Sequence, residues 1–398
     1  MEGEEGPVGS KWRVVLLSVA ASTATTFPVF LTGALAVVIS RRLSMSVTLV
    51  GILIAAFFAA AVPSSAYVGG AVERIGSTRV IRVSAVGTAA AELFIGLFVH
   101  GFASFLGALV VAGVTNGAMQ PAVNLMLARA IDRRRQGTAF GIKQAAIPVA
   151  TLLSGLAIPL VALTLGWRFA YLGGAVFALA VAAVVRSRAG EVAGRGSAGT
   201  AADFRYAPLI VLALGMALGA GAANSLGAFL VSGAVKVGFS VGEAGYLAAF
   251  GSAVGVTTRV VSGYLADRRN GRHFLVVAGM LIGGALGYVL LSVGVGVVYV
   301  IAVGVSYAGG WGWNGLYNFA VVVNHRDAPA KATGITQAGA YVGSVFGPVL
   351  FGLSVDHLGF AVSWRIDAVV ALVAAATVYA GRSTLIHELR RREATAGG

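Results

Sequence analysis

Apolar runs of about 20 residues, the length that crosses the hydrocarbon of a bilayer, recur along the whole of this chain. Backbone polar groups cannot be left bare in lipid, so runs of this kind must be helices. Composition agrees. Of 398 residues, 58% are hydrophobic and only 11% charged, where soluble domains carry about a quarter charged. The 56 glycines suit close approach between membrane helices. An all-α polytopic membrane protein is the predicted class.

Twelve spans are predicted, at about 14–40, 47–71, 79–99, 102–129, 137–163, 167–186, 207–234, 242–265, 274–293, 295–322, 333–354 and 362–381. The longest polar break, rich in Gly, Ala, Arg and Ser, reads as a flexible linker over 187–206. It separates a six-helix half at 14–186 from a second at 207–381, with a short N-terminus at 1–13 and a tail at 382–398. The opening MEGEEGPVGSKWR is acidic before it turns basic, so the first run is expected to be a retained helix rather than a cleaved signal.

The net charge of +14 comes from basic residues in the short hydrophilic breaks. With both termini in the cytoplasm, 22 Lys and Arg lie on the cytoplasmic side and five, Arg41, Arg42, Arg168, Lys236 and Arg365, on the other. The positive-inside rule therefore favours cytoplasmic termini, in the plasma membrane. Cysteine is absent, which excludes disulfides, thiolate metal sites and a cysteine nucleophile. There is no phosphate-binding glycine loop, no metal-ligand spacing and no hydrolase elbow, so no cofactor, no metal and no enzymatic activity are expected.

The halves repeat one another. RLSMSVTLVG from Arg42 aligns with KVGFSVGEAG from Lys236, and the same offset places Gly69 on Gly263, Glu73 on Asp267, Arg74 on Arg268, Gln120 on Asn314 and Asn124 on Asn318. GIKQA from Gly141 then falls on GITQA from Gly334, and Trp167-Arg168 recurs as Trp364-Arg365. Parallel six-helix repeats about a linker are a transporter design, with ligand held near mid-membrane between the halves.

The segment GGAVERIGSTR, Gly69 to Arg79, resembles the loop 2–3 signature of the major facilitator superfamily, and GYLADRRNGR, Gly263 to Arg272, resembles its repeat in loop 8–9. The resemblance covers the whole chain and implies two pseudo-symmetric six-helix bundles working by alternating access. It implies a cytoplasmic latch of Gly69, Glu73, Arg74, Gly263, Asp267 and Arg268 that opens during the cycle. Glu73 stands where the family usually has Asp.

Three ionisable residues lie deep inside apolar spans: Glu92, Lys143 and Arg259. A charge at mid-membrane costs roughly 3 kcal/mol on insertion scales and usually faces a cavity or a partner. Arg259 lies in a stripe with Gly251, Gly255, Gly263 and Asp267 at steps of four. A guanidinium there grips a carboxylate with two parallel hydrogen bonds. The spacing R-x-x-x-G-x-x-x-D also resembles span 8 of monocarboxylate and oxalate/formate-type carriers, which implies substrate binding by Arg259. Lys143 lies about as far from its basic loop as Arg259 from its own, and its repeat partner is the uncharged Thr336. Spans 5 and 8 meet in that fold, and two facing cations would repel unless an anion sat between them. Lys143 could instead snorkel toward the cytoplasmic surface, and Arg259 could pair internally with Asp267. Glu92, in span 3, reads either as a neutral acid against a neighbouring helix or as a proton-coupling carboxylate.

Neutral polar residues mark an expected cavity wall: Gln120 and Asn124 after Asn116 in span 4, Asn314 and Asn318 with Tyr317 in span 10, and Gln144, Gln337, Tyr341 and Asn224 in spans 5, 11 and 7. They could also simply join helices. Glycines 309, 310, 312 and 315 would let span 10 loosen locally. The reading is a secondary transporter of a small organic anion, a carboxylate, coupled to a proton or a counter-substrate, with the bilayer as its other partner and no nucleic acid. The rivals are a proton-driven multidrug or metabolite exporter, which would depend on Glu92, and a non-transporting receptor or sensor on the same fold.

Overall fold

The computed structural model describes residues 8–131, 136–185, 207–268, 272–325 and 329–396. In chain order it forms α1 (Val8–Ala34), α2 (Ala36–Leu43), α3 (Val47–Ile75), α4 (Ser77–Phe98), α5 (Phe102–Ala130), α6 (Gln136–Gln144) and α7 (Ala146–Ala157). A π-helical turn (Ile158–Ala162) leads to α8 (Trp167–Val184), α9 (Ala207–Val237), α10 (Val241–Arg268), α11 (His273–Val293) and α12 (Gly296–Val305). A second π-helical turn (Ser306–Trp311) leads to α13 (Asn314–Asn324) and α14 (Pro329–Ala396). No strand occurs among the described residues.

Ten of the helical runs are long and apolar enough to cross a membrane, the last being Ala332–His387. That run breaks at Gly359, with φ 80° and ψ 167°, and so supplies two spans. The 28-residue α10 carries Glu243, Arg259, Asp267 and Arg268; it completes the twelve expected spans. The fold is an all-helical, multi-pass membrane architecture.

Local chemistry sets the helix ends. Ser46 caps α3 by accepting from the Leu49 amide at 3.2 Å. Its repeat counterpart Ser240 opens α10 with a reciprocal capping box: Ser240 Oγ accepts from the Glu243 amide at 3.2 Å, and the Ser240 amide donates to Glu243 Oε2 at 2.8 Å. Between α3 and α4 the chain turns at Gly76, with φ 92°, a backbone that side-chain-bearing residues rarely adopt.

The described helices group into two compact units. The first draws on Met1–Gly196 and Gly227–Val256, the second on Ser197–Leu226 and Thr257–Gly398, so α9 and α10 each contribute to both. In the first unit, Gly113 and Gly117 of α5 lie directly on the Phe57 and Ala61 carbonyls of α3 and leave no room for a Cβ. Gly155 of α7 and Gly245 of α10 pack backbone to backbone, an added Cβ on Gly155 meeting Gly245 O at 2.8 Å. Val72, Ile81, Val123, Leu127 and Val181 belong to the core below these contacts.

In the second unit the same device joins α14 to α9: Gly339, Gly343 and Gly347, four apart, sit on Ala213, Ala217 and Gly221. These glycines make a small-residue seam along the predicted span 11. The surrounding core contains Leu212, Met216, Leu281, Trp313, Tyr317 and Val378. Without a strong apolar driving force between helices in lipid, such close backbone packing supplies the dispersion that holds each unit together.

Candidate functional site

In the first unit a polar chain runs across three helices. Lys143, on α6, is only 6% exposed, and its Nζ donates to Gln120 Oε1 of α5 at 2.5 Å. Gln120 Nε2 reaches Asn116 Oδ1 at 3.5 Å, and the same oxygen accepts from Thr25 Oγ1 at 3.2 Å and Thr26 Oγ1 at 3.1 Å on α1. The buried ammonium is therefore held by the uncharged amide of Gln120, which donates in turn to Asn116, the residue that two hydroxyls of α1 hold. No carboxylate is paired with Lys143 among the described residues. Asn124, on the same helix as Gln120, is exposed, and Gln144 is half-buried beside Lys143 in sequence.

The hydroxyls of α1 were not singled out in the sequence. Ser18, Ser22, Thr23, Thr25, Thr26 and Thr32 are all buried. The run ASTATT is visible in the chain, but a hydroxyl in a membrane helix commonly bonds its own preceding carbonyl, so composition alone does not separate wall from filler. Thr26 indeed bonds Ser22 O at 2.7 Å as well as Asn116.

In the second unit Arg259, half-buried on α10, donates from Nη2 to the Trp311 carbonyl at 3.1 Å. Asn318 Nδ2 donates to Asn314 Oδ1 at 3.1 Å one turn away, both half-buried on α13. Tyr317 is fully buried and spends its hydroxyl on the Leu212 carbonyl at 2.7 Å, which ties α13 to α9. Asn224 joins α9 to α14 through Ser344 Oγ at 3.1 Å and bonds its own Ala220 carbonyl at 2.8 Å. Gln337 and Tyr341 are half-buried on α14. The structure thus brings Lys143 together with Gln120 and Asn116, and Asn318 with Asn314. It gives Tyr317 and Asn224 helix-joining bonds.

Glu92 lies on α4 at 0% exposure, and neither carboxyl oxygen has a hydrogen-bond partner. It sits over Gly174 of α8, where an added Cβ would also meet Phe27 Cε1 at 2.9 Å, and within electrostatic range of Tyr171 on α8. Tyr171 in turn shares a 2.8 Å hydrogen bond with Thr32 of α1. The second unit holds a counterpart absent from the sequence-based set. Asp367, in the part of α14 beyond Gly359, is buried, its Oδ2 has no hydrogen-bond partner, and it lies within electrostatic range of Tyr288 on α11. Three deep ionisable residues were expected; Asp367 is a fourth. It stands only five residues into the span predicted at 362–381, next to Trp364-Arg365, and so reads as part of a polar helix end.

Of the expected latch, Arg74 is exposed at the end of α3, and Gly263 is exposed on α10 with open space where a Cβ would stand. The surroundings of Gly69 and the side chains of Glu73, Asp267 and Arg268 lie outside the described residues.

A membrane-spanning helical fold with polar residues buried on its helices defines a polytopic membrane protein rather than a single-span anchor. Residues 14–326 match the family model of the Major Facilitator Superfamily, and the chain belongs to that family. Among solved structures it is similar to a bacterial homolog of the human lysosomal transporter Spinster in an inward-facing, unoccupied conformation. That likeness has a TM-score of 0.74 at 15% identity, over 96% of this chain and 99% of the other. It is similar also to a D-xylose-proton symporter, with a TM-score of 0.74 at 15% identity over 92% of this chain and 97% of that one. At these identities the likeness is one of fold. No curated protein sequence matches the chain. The protein is a transporter of this superfamily, whose members work by alternating access.

Proposed function

We propose that the chain is a secondary active transporter of a small organic anion, of the carboxylate class, coupled to an ion or to exchange. The observation that supports this reading is Lys143: a buried ammonium whose bond goes to a neutral amide. Desolvating a cation beside neutral acceptors is costly, and an arriving carboxylate offsets it with charge-assisted hydrogen bonds. Arg259 is assigned as the second anion-binding cation, and Gln120, Asn124, Gln144, Asn224, Asn314, Asn318, Tyr317, Gln337 and Tyr341 as residues that shape or support the binding surface. The proposed setting is the plasma membrane with both termini cytoplasmic, and the loop-motif charges Glu73, Arg74, Asp267 and Arg268, with Gly69 and Gly263, form the latch.

Counterflow in proteoliposomes with a panel of small carboxylates tests the reading. Lys143→Met and Arg259→Ala are each expected to raise KM about thirty-fold or more. Full-rate transport by both variants would overturn it. One observation favours a rival. Glu92 is buried with no hydrogen-bond partner, as a proton-coupling acid could be. A proton-driven exporter of drugs or metabolites would then lose activity in Glu92→Gln and keep it in Arg259→Ala.

A further inference from the structure

The π-helical turn Ser306–Trp311 departs from the α-helical ladder directly before α13. The Gly312 amide bonds back to the Tyr307 carbonyl at 2.9 Å, five residues away rather than four. An inserted residue of this kind moves carbonyls out of α register, and buried carbonyls then need other donors. Two successive carbonyls of this turn are served by side chains. The Trp313 indole Nε1 donates to Gly310 O at 2.8 Å, and Arg259 Nη2 donates to Trp311 O at 3.1 Å.

The turn is also gripped from both sides within the second unit. Towards α11, an added Cβ on Gly309 would meet Met280 O at 2.6 Å, and one on Gly310 would meet Tyr288 Oη at 2.6 Å. Towards α10, Thr258, the neighbour of Arg259, lies so close that a Cβ on Gly312 would meet its Cγ2 at 2.7 Å. The wide turn, the missing side chains and the arginine therefore form one arrangement.

We propose that this turn is the positioning element of Arg259: the Trp311 carbonyl parks the guanidinium, and an arriving carboxylate takes it over. The proposal rests on the reading of Arg259 as an anion-binding residue. A carboxylate accepts two parallel, charge-assisted hydrogen bonds from a guanidinium, whereas the carbonyl, a neutral oxygen, accepts one from Arg259 Nη2, so the exchange runs toward the anion. Tightening the chain by one residue would then bring the Gly315 amide, four residues on, within reach of the Trp311 carbonyl in place of the guanidinium. Anion occupancy on α10 is thereby linked to the winding of the turn before α13.

Hydrogen–deuterium exchange on the full-length protein tests this in two arms. Without ligand, Arg259→Met, which keeps length and removes the donor, is expected to speed exchange of the amides over 311–316 by about ten-fold or more. Arg259→Lys, which still donates, is expected to restore part of the protection, and peptides from α3 and α5 serve as the control for folding. Unchanged exchange over 311–316 in Arg259→Met overturns the parking bond. In the second arm, formate, acetate, pyruvate and oxalate are added to the wild-type protein, and its melting temperature is followed in parallel. A carboxylate that stabilises the protein is expected to slow the Gly315 and Leu316 amides. Stabilisation with those amides unaltered overturns the exchange while leaving anion binding intact. If none of the four shifts the melting temperature, the carboxylate reading falls and the exchange with it, and the ligand-free arm alone judges the parking bond.

Discussion

Replacing Lys143 by methionine separates a functional cation from a structural one, because the two roles predict opposite changes in stability. The side chain is 6% exposed, so its ammonium gives up most of its hydration. That desolvation costs roughly 3 kcal/mol on insertion scales. What the folded protein gains in return is the 2.5 Å bond to Gln120, a hydrogen bond from a charged donor worth about 1.5–3 kcal/mol. Methionine removes both contributions and keeps the length, and half-buried Gln120 can exchange its lost donor for water. The balance places Lys143→Met between unchanged and about 1.5 kcal/mol more stable than wild type. Binding moves the other way. Losing one partner of a desolvated ion pair costs about 2 kcal/mol or more, about thirty-fold or more in KM for a carboxylate. Thermal unfolding in detergent and initial-rate uptake in proteoliposomes measure the two quantities on one preparation. A variant that unfolds several degrees lower and transports with unaltered KM would refute the reasoning, since that is how a purely architectural lysine behaves.

Three further outcomes are expected. Gly343→Val, which forces a side chain into the Ala217 and Gly221 backbone, should lower stability by about 1–3 kcal/mol, while Gly283→Ala, with nothing within 4 Å, should leave it unchanged or raised; the measurement is thermal unfolding. Tyr317→Phe should cost about 1 kcal/mol through the lost bond to the Leu212 carbonyl, with KM for the anion little altered, because the ring is kept and the hydroxyl is spent on that carbonyl. Glu92→Gln should fold, because the carboxyl has no hydrogen-bond partner to lose; if Glu92 couples protons, accumulation driven by a pH gradient disappears while counterflow persists, and equal accumulation in variant and wild type would remove that role.

Much of the architecture is legible in the chain because the bilayer simplifies the problem. A long apolar run has one solution in lipid, so the twelve spans follow from length and hydropathy. The equivalence of Ser46 and Ser240 is equally visible, since a cap depends on residues three apart. Contacts between distant helices are less accessible. Lys143 and Gln120 are 23 residues apart, and only the packing of α6 on α5 selects that amide over Asn124, which faces outward. Asn224 and Tyr317 look like Gln120 in sequence, yet their polar atoms are spent on Ser344 and Leu212. The glycines of AGGWGWNG announce a loosened helix; that the loosening takes π form and presents a carbonyl to Arg259 depends on α10, which sequence alone cannot place.

The carboxyl and the phenol trade places between the two units. In one, the acid is on α4 and its tyrosine on α8; in the other, the tyrosine is on α11 and the acid follows Gly359 on α14. An internal repeat can therefore keep a chemical couple while conserving neither member at its position. Aligning the halves residue by residue would score both places as unrelated, and other superfamily chains carrying such couples would escape any search that asks for matching letters instead of matching neighbours.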